Sequence, residues 1–555
     1  MIPGVKPWFF VTSVKQWVYE FVCYLVQCVN PAAFISISLN TESKLFMTEV
    51  NLPILIQQML QPGFYPHTVT EPIQLIQTHI SYVLLTGDYA YKLKKPVNFG
   101  FLDFSTLEKR KHFCQEELRL NQRGAAELYL EVLPVTMVDE QHHLAGVGKA
   151  VEYALKMRQF PQELLFSALF EQGKLNETHL EDLGKVVAEY HAKSTTDDYI
   201  RSFGEVPQVR AAIDENYQQT EKYIGGPQTQ KQFQETKKYT DNFFLERPEL
   251  FASRVKNNYI RECHGDLHLR NIALWNDQIT LFDCIEFNEP FRFVDVMYDV
   301  AFTVMDLEAR HSPDLANAFL NTYVEQTGDW EGLQVLPLYL SRQAYVRAKV
   351  TSFLLDDPGV PATAKEEAAK TAAEYYQQAY DYTKPKAGKL MLMSGLSGSG
   401  KSTTAKYLAR QLKAIQIRSD AVRKHLGGIS LSERGGDDLY TPEMTQKTYA
   451  RLLDLGIILA KQGFNVILDA KYDKEHLRQE AIAQGSKHQL PLQIIYCTAP
   501  LEVVQERLAK RTGDIADATV DLLTSQLQQA EAFTAEEKAY VQIWDTTQPP
   551  HTQLK

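Results

Sequence analysis

Residues 395–402 read Gly-Leu-Ser-Gly-Ser-Gly-Lys-Ser and satisfy the pattern G-x-x-x-x-G-K-[ST] at every fixed position. The apolar run Leu390-Met391-Leu392-Met393 leads directly into them, and a helix-compatible stretch, Thr403 to Lys413, comes next. Strand, glycine turn and helix start in that order expose backbone N–H groups at the positive end of a helix dipole, which makes an anion cradle. Gly395, Gly398, Ser399, Gly400 and Thr403 are the expected cradle, with Lys401 reaching the outer phosphates of a nucleoside triphosphate and Ser402 holding Mg²⁺. ATP and Mg²⁺ are the cofactors this predicts.

A chain of 555 residues is too long for one core and predicts several folding units. Its hydrophobic content of 44% and charged content of 23% are those of a globular protein rather than a membrane or disordered one. A net charge of −11 argues against coating nucleic acid, so no stable nucleic-acid partner is expected. Six scattered cysteines without a C-x-x-C pair or neighbouring histidines argue against zinc and against a disulfide framework, and suit a reducing, cytoplasmic setting. Residues 1–46 read as a non-core extension, in keeping with an over-long translation start ahead of Met47. Their apolar stretch Trp17–Val29 is broken by Glu20 and ended by Asn30-Pro31, too short for a membrane span. A membrane-surface anchor is the alternative for this segment, and no membrane partner is expected.

The rest divides by pattern. A short helix is expected between Glu49 and Leu60. Segments Ile80–Thr86 and Tyr89–Lys94 alternate as strands around a Gly87-Asp88 turn. A helix capped by Ser105 or Thr106 runs through Glu117, and Leu128–Val138 is a further strand. Helical periodicity dominates from Val151 to Leu355, including Leu180–His191 and Asp214–Phe244, with a strand-rich interruption at Tyr259–Phe287. After a helix at Lys365–Tyr382, a Lys/Pro/Gly linker leads to alternating β and α patterns, with strands at 414–417, 465–469 and 493–497. The expected domains are 47–384 (N-lobe about 47–150, C-lobe about 151–384), a linker 385–389, and 390–555.

His264-Gly265-Asp266-Leu267-His268-Leu269-Arg270-Asn271 carries H-G-D-x-x-x-x-N, and 17 residues beyond Asp266 the strand Ile279–Phe282 ends in Asp283. A loop, a hairpin and a returning strand would bring the three side chains together. Phosphoryl transfer needs a carboxylate to orient the attacking hydroxyl, here Asp266, and oxygen ligands for Mg²⁺, here Asn271 and Asp283. Over about Met47–Tyr382 the chain resembles the aminoglycoside/choline kinase family, a small-molecule branch of the protein-kinase-like fold. The resemblance implies a bilobal domain whose N-lobe supplies an ATP-anchoring lysine paired to a helix glutamate. Lys92 fits that position, with Lys94 and Lys95 as competitors. Glu116 and Glu117 are both available as its partner, Glu117 being the choice. The pattern departs from protein kinases: only Gly87 lies in the loop over the nucleotide, and Cys284-Ile285-Glu286 comes after Asp283 without the glycine of D-F-G. Asp295 and Asp299 read as hydrogen-bond acceptors beneath the catalytic loop, His264 as its support, and His268 as an exposed loop residue, with contact to substrate as the alternative.

Residues 388–555 resemble P-loop small kinases of the polynucleotide-kinase, gluconate-kinase and zeta-toxin type, with a doubly wound parallel sheet. The resemblance implies that Asp420 activates the acceptor hydroxyl, that Arg418 and Arg423 hold the substrate, and that Asp469 serves the metal. Arg507 and Arg511 would lie on a lid over the phosphates. Asp420 could instead cap its helix, and the two arginines could be solvent-facing charges at i, i+4 spacing. The whole chain resembles a bacterial fusion of an aminoglycoside-phosphotransferase-like domain with an ATP-binding domain. The fold class expected is thus α+β followed by α/β, and the function a bifunctional ATP-dependent phosphotransfer to hydroxyls of small molecules. The alternatives are a nucleotide-binding regulator in which one half gates the other, and a toxin-like or polynucleotide 5′-hydroxyl kinase in the C-terminal half.

Overall fold

The computed structural model describes residues 52–510, 515 and 523–553, except 79 and 101. The expected extension 1–46 and Arg511 lie outside the described residues. The chain forms two compact units that do not follow its linear order: one runs through Gln172 and takes in Ser194–Asp299 and Ser341–Asp381, and the other collects Gly173–Lys193, Val300–Leu340 and Tyr382–Lys555. No helix among the described residues is long and apolar enough to cross a membrane.

The first unit opens with a six-stranded antiparallel sheet in the order β1-β2-β3-β6-β4-β5 (Gln74–Gln77, Ser81–Leu85, Tyr89–Lys94, Ala150–Arg158, Tyr129–Val138 and Gln141–Leu144). The alternation in β3 sorts its side chains between two environments. Tyr91 and Leu93 are buried in an apolar cluster with Ile56, Met59, Leu84 and Val135, so Lys92 and Lys94 fall on the opposite face. Helix α1, Leu107–Ala125, lies on that face. Thr106 caps it by accepting from the Lys109 N–H at 3.3 Å, which settles the choice between Ser105 and Thr106.

The helix expected across 214–244 is two helices, Val206–Thr220 and Gln230–Glu246. Gly225-Gly226-Pro227 breaks the run, and a Thr229/Gln232 capping box starts the second helix. Between helices, β7 (Ile260–Glu262) pairs with β10 (Phe293–Asp295), and β8 (Ile272–Trp275) forms a hairpin with β9 (Gln278–Leu281). Two loops therefore leave these strands close together, 263–271 after β7 and 282–287 after β9. Three further helices share out between the units: α2 (Glu177–Lys193) and α3 (Pro313–Thr327) belong to the second, whereas α4 (Leu336–Phe353) gives its length from Ser341 onward to the first.

The second unit contains a five-stranded parallel sheet, β12-β13-β11-β14-β15, built from Ile415–Arg418, Asn465–Asp469, Lys389–Ser394, Leu492–Thr498 and Val541–Asp545. The chain leaves β11 for one side of it and later returns to pair β14 on the other. The crevice at the carboxyl ends of β11 and β13 is thus a topological switch point, where doubly wound sheets collect ligands. The last strand, β15, carries no clear mark in the sequence. It is an edge strand with one fully buried side chain, Trp544. The opposite edge, β12, is covered by α3: Asn321 accepts the Gln416 N–H at 2.7 Å, and Asn317 and Asn321 donate to the Ala414 carbonyl at 2.9 and 3.0 Å. Helix α2 is held to α5 (Lys401–Leu412) by Arg410, which reaches Glu177 and Glu181 at 3.0 and 2.9 Å.

Candidate active sites

In the first unit the two lysines that share a face of β3 also share one carboxylate. Lys92 Nζ lies 2.7 Å from Glu117 Oε1 and 3.3 Å from Asp283 Oδ1, and Lys94 Nζ lies 2.7 Å from Glu117 Oε2 and 2.5 Å from Glu286 Oε1. Glu117 is the buried glutamate of α1, while Glu116 turns outward to Arg119 at 2.8 Å. Lys95 stacks over the Tyr82 ring instead. Burial works against charge on both lysines. The acids around them outweigh it and raise Lys92, through Asp283 first and then Glu117. For Glu117, burial opposes the carboxylate, but the two ammonium groups hold its pKa at about 2. Glu286 moves the other way, raised by burial and by the neighbouring Glu117 charge.

The loop after β7 brings Asp266 to Asn271, whose Nδ2 donates to Asp266 Oδ2 at 3.1 Å and to its carbonyl at 2.9 Å. Gly265 sits at φ +85°, and a Cβ there would meet the Phe291 carbonyl at 2.6 Å, so only glycine lets the loop turn this tightly. Asp299 receives the His264 and Gly265 N–H groups at 2.7 and 2.9 Å, and Asp295 pairs with Arg254 at 2.6 Å. His264 accepts from the Asp266 N–H through Nδ1 and faces the Phe282 carbonyl through Nε2, tying the two loops together. His268 corrects its expectation as an exposed residue: it is 2% exposed, with Nε2 3.3 Å from Asp266 Oδ2. Burial would raise the Asp266 pKa, but His268 and the Arg347 guanidinium of α4 hold it at about 2. Asp266 is therefore ionised at neutral pH.

Helix α4 carries three buried cations that no sequence motif marks. Arg342 stacks over the Tyr298 ring at 4.5 Å, and its Nε has no hydrogen-bond partner among the described residues. Lys349 meets two side-chain amides, Asn216 Oδ1 at 2.6 Å and Gln219 Oε1 at 3.0 Å, and burial lowers its pKa to about 8. Arg347 is the third, 3% exposed.

In the second unit the phosphate loop leaves β11 at Gly395, where φ is +132° and a Cβ would strike the Cys497 carbonyl at 2.5 Å. The loop closes at the start of α5, so Lys401 and Ser402 stand in its first turn. Lys401 Nζ is held 2.8 Å from the Leu396 carbonyl, within the loop it would serve, and burial lowers its pKa against the pull of Asp469. The Ser399 hydroxyl is buried without a partner among the described residues. These features fit a polyphosphate: a backbone cradle with no room for side chains, an orphan hydroxyl and a lysine parked on a carbonyl. Asp469 ends β13 beside Arg418 of β12 and accepts from Gln416 Nε2 at 2.9 Å, a buried carboxylate near Ser402 suited to a divalent cation.

Asp420 lies in the first turn of α6 (Ser419–Gly427), whose cap position is Arg418 with no side-chain cap bond, so Asp420 is not the cap. Arg418 lies 3.9 Å from Glu325 of α3. Arg423, expected beside it at the substrate, is instead buried, bonded to the Leu439 carbonyl at 2.9 Å and Thr445 at 3.2 Å and stacked on Tyr440. It anchors the 437–440 turn. Arg507, on α7 (Leu501–Ala509), donates to the Thr546 hydroxyl and carbonyl at 2.8 Å each, and the Thr546 hydroxyl reaches the Ser399 carbonyl at 2.8 Å. Arg507 thus braces the phosphate loop from behind through one residue.

A bilobal protein-kinase-like fold and a P-loop kinase-like fold therefore lie in one chain. Residues 390–534 match the AAA domain family AAA_33. The uncharacterized protein Rv2004c of Mycobacterium tuberculosis is 30% identical over 463 residues, covering 82% of this chain and 90% of that protein. An adenylyl-sulfate kinase of Paraburkholderia xenovorans is 31% identical over 147 residues, 24% of this chain and 74% of its own. A solved choline/ethanolamine kinase family protein from Mesorhizobium loti is 10% identical, covers 59% of this chain and 98% of its own, and has a TM-score of 0.35. The chain belongs to the family of the mycobacterial protein.

Proposed function

We propose that the chain is a bifunctional ATP-dependent phosphotransferase, each part moving the γ-phosphoryl of ATP to a hydroxyl of a small molecule. The observation that carries the reading is the linkage of two clusters, Lys92 of β3 with Glu117 of α1 and Asp283 after β9, and Asp266 with Asn271 after β7, whose loops are joined by the Phe282 N–H donating to the Asn271 carbonyl at 3.1 Å. In the first part Lys92, positioned by Glu117, holds the nucleotide phosphates, and Asn271 and Asp283 are the metal ligands. Asp266 accepts the hydrogen bond of the acceptor hydroxyl and aligns it for attack. In the second part the 395–400 backbone, Lys401, Ser402 and Thr403 hold the phosphates, and Asp469 and Ser402 are the metal ligands. Asp420 orients the acceptor hydroxyl, and Arg507 stiffens the loop. A bound Mg²⁺ supplies neutralisation of phosphate charge at each site. The similarity to an adenylyl-sulfate kinase supports the second transfer.

The buried cations of α4 bear on the first acceptor. Arg342 stacks on a tyrosine ring, Lys349 bonds two side-chain amides, and the Arg347 charge helps to hold the Asp266 carboxyl ionised. Their field favours an acceptor with negative charge over a polycationic antibiotic. The experiment uses labelled ATP and a panel of hydroxylated acids, sugar phosphates, polyols and aminoglycosides, with the full chain and its Asp266→Ala and Lys401→Ala variants. Two transfer activities are expected, each falling at least about 100-fold in one variant and surviving in the other. Nucleotide binding without transfer to any acceptor would favour the regulatory reading.

A further inference from the structure

Helices α2 and α3 come from chain well ahead of the phosphate loop, yet they line a cavity beside it. The cavity, about 860 Å³, reaches from Ser402 and Thr403 along β12 to Arg418, and its facing wall is Lys185 of α2 with Thr322, Glu325 and Gln326 of α3. Its volume suits a small molecule. The placement of that wall is built in. The Asn321 side chain satisfies the edge of β12, the Glu325 carbonyl faces His425 Nε2 at 2.8 Å, and Trp330 meets the His425 ring edge-on at 5.6 Å. Gly184 of α2 brings the two helices together, since a Cβ there would lie 2.9 Å from Thr322 Cβ.

The charges around the cavity are matched in pairs. Lys406 and Arg410 face Glu177 and Glu181, Arg418 faces Glu325 at 3.9 Å, and Lys185 faces Asp182 at 2.8 Å. The wall therefore offers hydroxyl, amide and single carboxylate groups at fixed places rather than a positive field. A polynucleotide end needs such a field along its backbone, whereas a polyol needs paired donors and acceptors at short range.

We infer that this cavity is the acceptor site of the P-loop kinase, and that Glu325 and Gln326 of α3 select a small polyhydroxylated acceptor against a polynucleotide 5′ end. The inference rests on the second transfer proposed for this chain and names its specificity residues. Both residues come from a stretch of chain outside the P-loop sequence and act by binding the acceptor's hydroxyls, while the phosphate loop and Asp420 serve the reacting atoms.

The test uses the full chain carrying Asp266→Ala, so that only the P-loop site can turn over. Labelled ATP is offered with glycerol, ribitol and gluconate, and in parallel with a 5′-hydroxyl oligonucleotide. Label is expected in a polyol or aldonate and not in the oligonucleotide. Adding Glu325→Gln or Gln326→Ala should raise the acceptor KM about 10-fold or more and leave the ATP KM within about twofold. Unchanged melting curves for both variants would separate this effect from misfolding, and restoration of KM by Gln326→Asn but not Gln326→Ala would mark hydrogen bonding. Labelled oligonucleotide, or an acceptor KM unmoved in both variants, overturns the inference and leaves the transfer reading standing. No label in any acceptor removes the transfer reading itself, and the inference with it.

Discussion

The two sites proposed to bind phosphate in this chain hold their cations by opposite means. In the first, cations are held ready by carboxylates: Glu117 is shared between Lys92 and Lys94, and Glu286 and the partly exposed Asp283 complete the network. In the second, the backbone does the holding, and Lys401 rests on a carbonyl with its pKa lowered by desolvation. The contrast teaches that a buried cation can be stored as an ion pair, which ties it to the stability of the fold, or as a group under desolvation, which does not.

The sharpest way to break this comparison is to remove the storage partner. Glu117→Ala leaves two buried ammonium groups short of their shared carboxylate and is expected to cost about 3–5 kcal/mol of stability in denaturant unfolding. Lys401→Ala is expected to leave stability unchanged or raise it. Equal losses in the two variants would erase the distinction. The pH dependence has a definite sign. Because the folded pKa of Glu117 is depressed to about 2, its stabilisation is complete above the ordinary carboxylate pKa and is lost as pH falls from there toward 2. A Glu117→Gln variant should flatten that acid limb, as read from melting temperature against pH.

A smaller effect of opposite sign is expected at Lys349, which resembles Lys401 in having its pKa lowered by desolvation. Its folded pKa of about 8 lies below the unfolded value, so the wild-type chain gains stability as pH rises from 8 through the unfolded range. Lys349→Met should add about 1–3 kcal/mol at pH 7, and the advantage should shrink as pH rises from about 8 toward the unfolded lysine pKa of about 10.4. Should the variant prove less stable at pH 7, Lys349 belongs with the ion-paired class. The smallest effect sharpens the first site alone. Thr106→Ala removes the cap of the helix that carries Glu117 and should cost about 1 kcal/mol by thermal unfolding, with little change in the P-loop transfer rate.

Much of the fold was legible because some features admit few residue types. Gly395 must be glycine where a Cβ would strike a neighbouring carbonyl, so the phosphate loop announces itself in sequence. The Gly87-Asp88 hairpin and the strand ending in Asp469 were readable for similar reasons, since turns and strand periodicity leave local marks, whereas the strand expected to run to Asp283 stops at Leu281 and leaves Asp283 in the loop beyond it. The choice among Lys92, Lys94 and Lys95 was not. Residues two apart on a strand share a face, and only the location of Glu117 shows that both Lys92 and Lys94 reach it. Arg423 and His268 misled for a related reason: an arginine or histidine beside a motif carries no sign of whether it faces ligand or anchors a turn. Nor does an amphipathic helix name its neighbour. Nothing in the apolar faces of α2 and α3 tells that they pack with a sheet that begins far downstream.

That last arrangement has a practical consequence for anyone wishing to study the P-loop kinase by itself. A fragment starting at the linker before β11 would leave behind Asn317 and Asn321, and β12 would present bare amide and carbonyl groups to solvent. An uncovered strand is a template for another copy's strand, so such a truncation invites self-association rather than yielding a smaller working enzyme.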